Sequence, residues 1–231
     1  MNIRDEFFVA LNNWQKGWHE IQADKDELAI PLKKECQLLD PKYRTVEVTC
    51  YRKRFLHEGE LVDIILNDKK DEGLASWTTD ASIAEGFKGI YKEGGRAAVF
   101  EHYPVGTEII VNLEKLWKCS DFVAAFNNFK SRCPLDSVAI DYFKADQKEI
   151  ILEVPLRASE LCRVAGQSSS FDYICDIGGI PKEVRESEYK RLVTNGVRIE
   201  ELMLLGKSAT QNVILNIKEG FYQKHKDKFS K

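Results

Sequence analysis

Residues 147–155 read Gln-Lys-Glu-Ile-Ile-Leu-Glu-Val-Pro, and they are the stretch around which the fold is interpreted. An aliphatic run lies between two carboxylates, and Pro155 follows it. A short apolar run that is bounded by a turn residue is typical of a buried β-strand. We therefore predict a strand over residues 149–154.

Three further strands are predicted earlier in the chain. Apolar and polar side chains alternate over residues 45–51, which is the period of a half-buried strand. Residues 97–100 and 107–111 flank a turn that contains Pro104 and Gly106, and each run favours a strand. Strands mixed with helical segments predict a single domain of the α+β class.

Helical patterns surround these strands. The N-terminal apolar residues recur every three to four positions, as on one stripe of an amphipathic helix, which is expected to pack in the core rather than to bind a partner. They are Phe7, Phe8, Leu11, Trp14, Trp18 and Ile21. Further helices are predicted over residues 25–39 with a break near Pro31, and over 80–91, 113–128 and 208–223.

The chain is expected to form one domain over residues 1–231. Its parts are N-terminal helices over 1–44, a catalytic core over 45–165 and a helical C-terminal extension over 166–231. Residues 163–206, which span the end of the core and the start of the extension, contain Gly178-Gly179 and three consecutive serines, and this segment is predicted to be rich in loops.

Composition limits the classes of function. The net charge of −3 excludes a general attraction to nucleic acid or to anionic membranes, so that any polyanion must bind locally. A run of 18 apolar residues does not occur, and the first residues lack an apolar leader. We therefore expect a cytoplasmic protein that does not contact a membrane.

The cysteines and histidines do not suggest a metal site. The six cysteines are widely spaced, neither a Cys-x-x-Cys pair nor a Cys/His cluster occurs, and the four histidines are far apart. We predict reduced, buried thiols, no metal ion and no catalytic histidine.

Three short motifs stand in strand-like contexts and in a fixed order. They are Cys50-Tyr51-Arg52, Ser76-Trp77-Thr78 and Gln147-Lys148-Glu149. The second leads through Asp80 into a predicted helix that contains Phe87, and the third continues into the aliphatic run. Taken as a set, the motifs resemble the aromatic-Arg, Ser-Thr-Ser and Gln-x-Glu elements of the mono-ADP-ribosyltransferase superfamily, in its toxin-like Arg-Ser-Glu branch.

The resemblance covers residues 45–164, and it implies a split β-sheet core that binds NAD as a substrate. Lys53 stands where the family often has Gly, and Trp77-Thr78 replace Thr-Ser. The interval between Ser76 and Glu149 is long, which implies an insertion around residues 113–133.

The chemistry explains why these residue types are needed. An Arg can hold a pyrophosphate through a bidentate fork, and we assign this role to Arg52, with Arg54 as the alternative if the strand register shifts by two. A carboxylate stabilises the oxocarbenium-like ribose that forms when the glycosidic bond breaks. We assign this role to Glu149, held by Ser76, with Glu153 as the alternative.

The remaining expected site residues bind NAD or select the acceptor. The resemblance implies that Tyr51, Trp77, Thr78 and Phe87 border NAD together with Arg52 and Ser76. Gln147, two residues before Glu149 on a strand, would point to the same face and meet the acceptor. Tyr142 and Phe143 stand where the family carries an acceptor-recognition loop.

These assignments predict an intracellular toxin or defence effector, held by an antitoxin, that transfers ADP-ribose from NAD to a nucleobase of RNA or DNA. In the resembled family, Gln at the position of Gln147 is found with acceptors other than arginine. The tail over residues 218–231, rich in Lys and aromatic residues, could follow a nucleic-acid backbone or be a solvated helix. The alternatives are a protein side chain as acceptor, or a catalytically silent binding module.

Overall fold

The computed structural model describes residues 3–17, 21–89, 91–92, 95–143, 147–167, 171, 175–176, 178–195 and 202–229. These residues form an α+β fold, as predicted. The helices are α1 (Asp5–Lys16), α2 (Gln22–Gln37), α3 (Glu58–Asn67), α4 (Ala81–Gly86), α5 (Leu113–Trp117), α6 (Ser120–Arg132), α7 (Val138–Tyr142), α8 (Lys182–Thr194) and α9 (Lys207–Phe229). The strands are β1 (Cys50–Leu56), β2 (Leu74–Thr78), β3 (Tyr91–Lys92), β4 (Gly95–His102), β5 (Ile109–Asn112), β6 (Glu149–Glu153), β7 (Leu161–Gln167) and β8 (Leu202–Leu204).

The sheet is antiparallel and open, with the strand order β5-β6-β2-β1-β4-β7-β8, and β3 pairs with β4 at the side. Strand β1 pairs with β4 from Cys50↔His102 to Leu56↔Arg96, and β2 pairs with β6 along its length. The pairing between β1 and β2 is confined to Tyr51↔Thr78. Beyond this pair the two strands separate. The sheet is thereby divided into a β5-β6-β2 part and a β1-β4-β7-β8 part.

One hydrophobic cluster joins the N-terminal helices to the β5-β6-β2 part. The rings of Phe7 and Phe8 on α1 pack against Phe122, and Phe8 stacks on Phe129 with ring centroids 5.0 Å apart. The stripe predicted on α1 is therefore core, as expected, although Ile21 is exposed and Trp18 lies outside the described residues. The segment predicted as an insertion forms α5 and α6, which complete this cluster.

A second cluster covers the opposite face of the sheet. It contains Trp77 and Phe100 from the strands, Ile64 from α3 and Ile214 from α9. The C-terminal helix thus packs on the sheet through its first half, as the predicted helical extension requires.

The first strand begins later than predicted. Residues 45–49 are not part of a strand, and β1 starts at Cys50. Its partner β4 ends at His102, directly opposite Cys50, so the ladder with β4 ends there. The carbonyl of Thr45 instead accepts a hydrogen bond from Asn112 Nδ2 at 3.0 Å.

Other predicted boundaries also change. Helix α2 runs without a break past Pro31, and the helix predicted over 80–91 ends at Gly86, because Lys88 (φ 55°) and Gly89 (φ 75°) adopt left-handed conformations. The single helix predicted over 113–128 is two helices, α5 and α6.

The prediction of a loop-rich segment over residues 163–206 is wrong for much of its described part, and the three serines at 168–170 lie outside the described residues. This segment contains most of β7, the helix α8 and the strand β8. More than half of the residues of helix α8 are charged, and its few apolar residues do not form the apolar stripe that would have revealed the helix. Exposed ion pairs between residues one turn apart, such as Lys190 with Glu186, lie along this helix instead.

The six cysteines are free thiols. Cys36, Cys50, Cys162 and Cys175 are buried, as predicted, whereas Cys119 and Cys133 are only half-buried. Among the helices of the described ranges, none has the length and apolar character needed to cross a membrane.

Candidate functional site

A cavity of about 280 Å³ opens where β1 and β2 separate. Its walls come from these two strands, the start of β6, the last turn of α1, the first turn of α2 and helix α4. Nine residues predicted from the sequence border it: Tyr51, Arg52, Ser76, Trp77, Thr78, Phe87, Phe143, Gln147 and Glu149. The three motifs, which are far apart in sequence, thus meet at one place.

The carboxylate of Glu149 is the centre of this cavity's hydrogen bonding. Glu149 is the first residue of β6 and pairs in register with Thr78 of β2. One of its oxygens accepts a hydrogen bond from Ser76 Oγ, and the other accepts one from Gln15 Nε2 at 3.1 Å. Only 7% of Glu149 is exposed, so these donors replace water around a buried acid.

The pKa of Glu149 is raised above its ordinary value because burial disfavours the charged carboxylate. The hydrogen bonds from Ser76 and Gln15 and the positive charge of Arg52 oppose this effect without cancelling it. Any reaction that needs the ionised carboxylate therefore requires a pH above the range in which an exposed Glu ionises.

Arg52 joins the two parts of the sheet through its side chain. It lies one residue beyond the Tyr51↔Thr78 pair, where β1 and β2 no longer share a ladder. Its Nη1 donates to the carbonyl oxygen of Ser76 at 2.7 Å, and its Nε donates to Glu72 Oε2 at 3.0 Å. Arg52 thus fixes the backbone of Ser76, whose side chain in turn holds Glu149.

Glu72 is a buried carboxylate that pairs with both arginines of the first motif region. Its side chain is 4% exposed, and it bonds Arg52 and Arg54 at the same time. Burial lowers the pKa of Arg52, and the charge of Glu72 opposes this effect. Nη1 and Nε of Arg52 thus donate within the protein, which fixes the orientation of the guanidinium group.

Gln147 borders the cavity, but not for the reason given by strand periodicity. Strand β6 begins only at Glu149, and Lys148 has a left-handed φ of 46°, so the alternation of strand faces does not apply. The turn is held by Lys148 Nζ, which donates to Asp80 Oδ2 at 2.7 Å. A strained backbone residue thus aims Gln147 into the cavity.

Trp77 is not placed as the resemblance implied. Its ring is 2% exposed, belongs to the second hydrophobic cluster and lies near His102, with ring centroids 5.9 Å apart. Neighbouring strand residues point to opposite faces, so the side chain of Ser76 faces the cavity while the Trp77 ring faces away. The ring of Trp77 is therefore part of the core and does not face the cavity.

The other expected NAD contacts differ in exposure. Tyr51 is half-buried and packs beside Ala84, while Phe87 is largely exposed at the rim. Thr78 is buried, and its Oγ1 accepts a hydrogen bond from the Asp80 backbone at 3.2 Å. Thr78 thus contributes to the wall and to the turn that starts α4.

The two aromatic residues expected at the acceptor side are arranged unequally. Their rings meet edge to face, with centroids 5.0 Å apart. Phe143 borders the cavity, whereas Tyr142 is 79% exposed and is not part of the cavity wall. An exposed aromatic ring thus stands beside the cavity.

Sequence reasoning missed the contribution of the N-terminal helices. Trp14 and Gln15 of α1 and Lys25 of α2 border the cavity, as does Glu72. Gln15 is buried on the same stripe as Leu11 and Phe8. A polar residue on a stripe that is otherwise apolar was the signal that could have found it.

Within the described part of the chain, no group of three or more His, Cys, Asp or Glu side chains is arranged to hold a metal ion. Comparison with protein-family models, with curated proteins and with solved structures finds no match to this chain. Its function is therefore inferred from the residues of the cavity.

Proposed function

We propose that this chain is an NAD-dependent mono-ADP-ribosyltransferase. The observation that carries the proposal is the buried Glu149 carboxylate, bonded by Ser76 Oγ, with the Arg52 guanidinium on the Ser76 carbonyl. Each of the three residues comes from one motif of the resemblance. The separation of β1 from β2 agrees with the split sheet that the resemblance implies.

In the proposed reaction, the bond between the ribose C1′ and the nicotinamide nitrogen breaks, and its electron pair leaves with nicotinamide. The ribose develops oxocarbenium character, and the fixed carboxylate of Glu149 stabilises that positive charge. A nucleophilic atom of the acceptor then bonds to C1′ and loses its proton. Ser76 keeps Glu149 in position throughout.

The cationic side chains that border the cavity suit the pyrophosphate of NAD. Arg52 and Arg54 supply charge that Glu72 only partly neutralises, and Lys25 and Lys88 also line the wall. Anions are held well by guanidinium groups whose orientation is fixed. Glu72 provides this orientation, while Tyr51, Thr78 and Phe87 border the remainder of NAD.

The acceptor in this proposal is a nucleobase of RNA or DNA. The amide of Gln147 can hydrogen-bond the edge of a base, and Phe143 with the exposed Tyr142 offers rings on which a base can stack. Such a reaction would damage its own cell, so we infer a toxin or defence effector that a neutralising partner controls.

The C-terminal helix supplies a separate test of the acceptor. Among the described residues that border the cavity, none belongs to α9, so its lysines would contact nucleic acid outside the catalytic centre. Replacing Lys218, Lys224 and Lys226 by Gln should reduce modification of nucleic acid and flatten its salt dependence, without slowing NAD cleavage. Equal modification by the variant and the wild type would exclude the helix as a binding surface.

The principal experiment uses NAD labelled in its ADP-ribose portion. It is incubated with total RNA, DNA or cell-extract protein and with the wild type, Glu149→Gln or Glu153→Gln. The proposal predicts label on nucleic acid with the wild type and Glu153→Gln, and none with Glu149→Gln. Label on protein alone would contradict the nucleobase acceptor.

The absence of label and of nicotinamide release would contradict the transferase itself. A thermal shift with NAD then distinguishes a silent binding module from a chain that does not bind NAD. NAD at a hundred times its Kd should stabilise the fold by about 2.7 kcal/mol.

A further inference from the structure

We propose that Gln15 is a positioning residue of the active site and also contacts the substrate. Its amide nitrogen fixes the Glu149 carboxylate, and its amide oxygen accepts a hydrogen bond from a hydroxyl of the nicotinamide ribose. The inference rests on the proposed function. It assigns the N-terminal helix a part in catalysis that the three motifs do not include.

Gln15 is built into the cavity wall rather than placed at its edge. The residue is 6% exposed, lies in the last turn of α1 and borders the cavity. Its Nε2 donates to Glu149 Oε2 at 3.1 Å. Among the described residues, its Oε1 is buried and has no hydrogen-bond partner.

The orientation of this amide follows from chemistry. An ionised carboxylate only accepts hydrogen bonds, so the NH₂ group of Gln15 must face Glu149. The amide oxygen is then left buried without a donor, which is costly for a native protein. A ligand hydroxyl in the cavity would remove that cost.

Helix α1 holds the amide in place. Asn12 Oδ1, one turn earlier, accepts a hydrogen bond from the Ala139 backbone at 3.0 Å, and Lys16 Nζ donates to the Leu135 carbonyl at 3.0 Å. Phe8 and Leu11 anchor the same helix in the first hydrophobic cluster. Gln15 is therefore preorganised, as a group that positions a reacting carboxylate must be.

Two acceptor groups that lie side by side in the cavity indicate which ligand chemistry fits it. The carboxylate of Glu149 and the amide oxygen of Gln15 are linked by one hydrogen bond and both belong to the same cavity. Neighbouring acceptors of this kind suit the two hydroxyls of a vicinal diol. The ribose attached to nicotinamide carries such a diol beside the bond that breaks.

The test compares Gln15→Met, which keeps the chain length and removes both polar groups, with Asn13→Met on the exposed side of the same helix. Nicotinamide release and the melting temperature without NAD are measured for both variants. We expect Gln15→Met to lower kcat/KM about tenfold or more and Asn13→Met to leave it unchanged. Gln15→Met should melt close to the wild type, because the loss of the donor to Glu149 is offset by the removal of the unpaired oxygen.

Two further readouts exclude a merely structural role. Because the donor to Glu149 is lost, the acidic limb of the kcat/KM profile should move to higher pH in Gln15→Met. It should move further in Gln15→Glu, which keeps an acceptor oxygen but adds a second carboxylate. Against NAD analogues that lack the 2′- or the 3′-hydroxyl of this ribose, the wild type should lose more kcat/KM than Gln15→Met for one of the two.

The inference is overturned if Gln15→Met matches the wild type in kcat/KM and pH profile, or if both proteins lose the same factor with both analogues. If Gln15→Met is unstable, Gln15→Glu tests the inference instead. An acidic limb of its kcat/KM profile at the same pH as in the wild type would overturn the inference. A wild type that releases no nicotinamide would instead overturn the proposed function, and the inference with it.

Discussion

At the scale of single residues, Glu149 is an acid that the fold keeps at a cost to stability. Its folded pKa lies above its ordinary value because burial disfavours the charged form. A carboxyl with a raised pKa binds more protons in the folded than in the unfolded state. The free energy of unfolding therefore falls as pH rises from the ordinary Glu range to the raised value.

Glu149→Gln should consequently be at least as stable as the wild type at neutral pH, while losing activity. Its free energy of unfolding should also lack the decrease that the wild type shows as pH rises above the ordinary Glu range. Urea denaturation of both proteins at pH 4 and pH 8 measures this difference. A variant less stable than the wild type at pH 8 would mean that Glu149 serves the fold rather than the reaction.

Glu72, in contrast to Glu149, is expected to stabilise the fold, because it is the counter-charge of two guanidinium groups. Glu72→Gln leaves Arg52 and Arg54 without their common counter-charge, and should lower the free energy of unfolding by about 3 kcal/mol. Glu153→Gln, which removes an exposed pair with Lys33, should cost less than about 1 kcal/mol. Similar losses in the two variants would contradict the structural role assigned to Glu72.

At the scale of elements, His102 ties the end of β4 to the turns that precede β5 and β7. Its Nε2 lies 3.0 Å from Glu108 Oε2, and its Nδ1 lies 2.7 Å from Glu160 Oε1. The Glu160 and Glu108 hydrogen bonds raise the pKa of His102 although burial opposes them. The sequence offered no partner for this histidine, since Glu160 is remote along the chain.

The contribution of protonated His102 to stability should be complete below pH 6.5, its ordinary pKa, and should be lost as pH rises through the raised folded value. His102→Gln should therefore be less stable than the wild type at pH 6, on the order of 1 kcal/mol, and closer to it at pH 9. Denaturation midpoints at the two pH values measure this. A deficit that is the same at both would show that the ring's packing on Trp77 matters more than its charge.

The elements that could be predicted from sequence are those whose pattern is local. An aliphatic run predicts strand β6, and an apolar stripe predicts helix α1. Helix α8 has no such pattern, because more than half of its residues are charged and its few apolar residues form no stripe. The three motifs likewise identify Arg52, Ser76 and Glu149. Gln15 is marked in the sequence only as a polar residue on an apolar stripe, and its contact with Glu149 is tertiary. Glu72 joins the cavity through a tertiary contact with Arg52 that no spacing reveals.

At the scale of the whole molecule, the cavity depends on the packing of helices on a divided sheet. The strands β1 and β2 share one backbone pair, and Arg52 adds a side-chain link. Trp14 and Gln15 of helix α1 border the cavity, while Phe7, Phe8, Ala10 and Leu11 of the same helix belong to the first hydrophobic cluster. The position of the Glu149 carboxylate is therefore coupled to that cluster.

Phe8→Ala should test this coupling. The substitution opens a void among aromatic rings and should cost about 3–5 kcal/mol, and the shift of α1 should also lower kcat/KM. Ile214→Ala, in the second cluster, should lose stability without lowering the activity of the folded protein. If both variants keep wild-type activity when folded, the cluster and the cavity are independent.

The most direct test of the central claim is nicotinamide release from NAD by the purified wild type, Glu149→Gln and Glu153→Gln. We predict release by the wild type and by Glu153→Gln, and a rate at least about a thousandfold lower for Glu149→Gln, because only Glu149 stabilises the developing ribose cation. Release at the wild-type rate by Glu149→Gln, or no release by the wild type, would contradict the assignment of this cavity to ADP-ribosyl transfer.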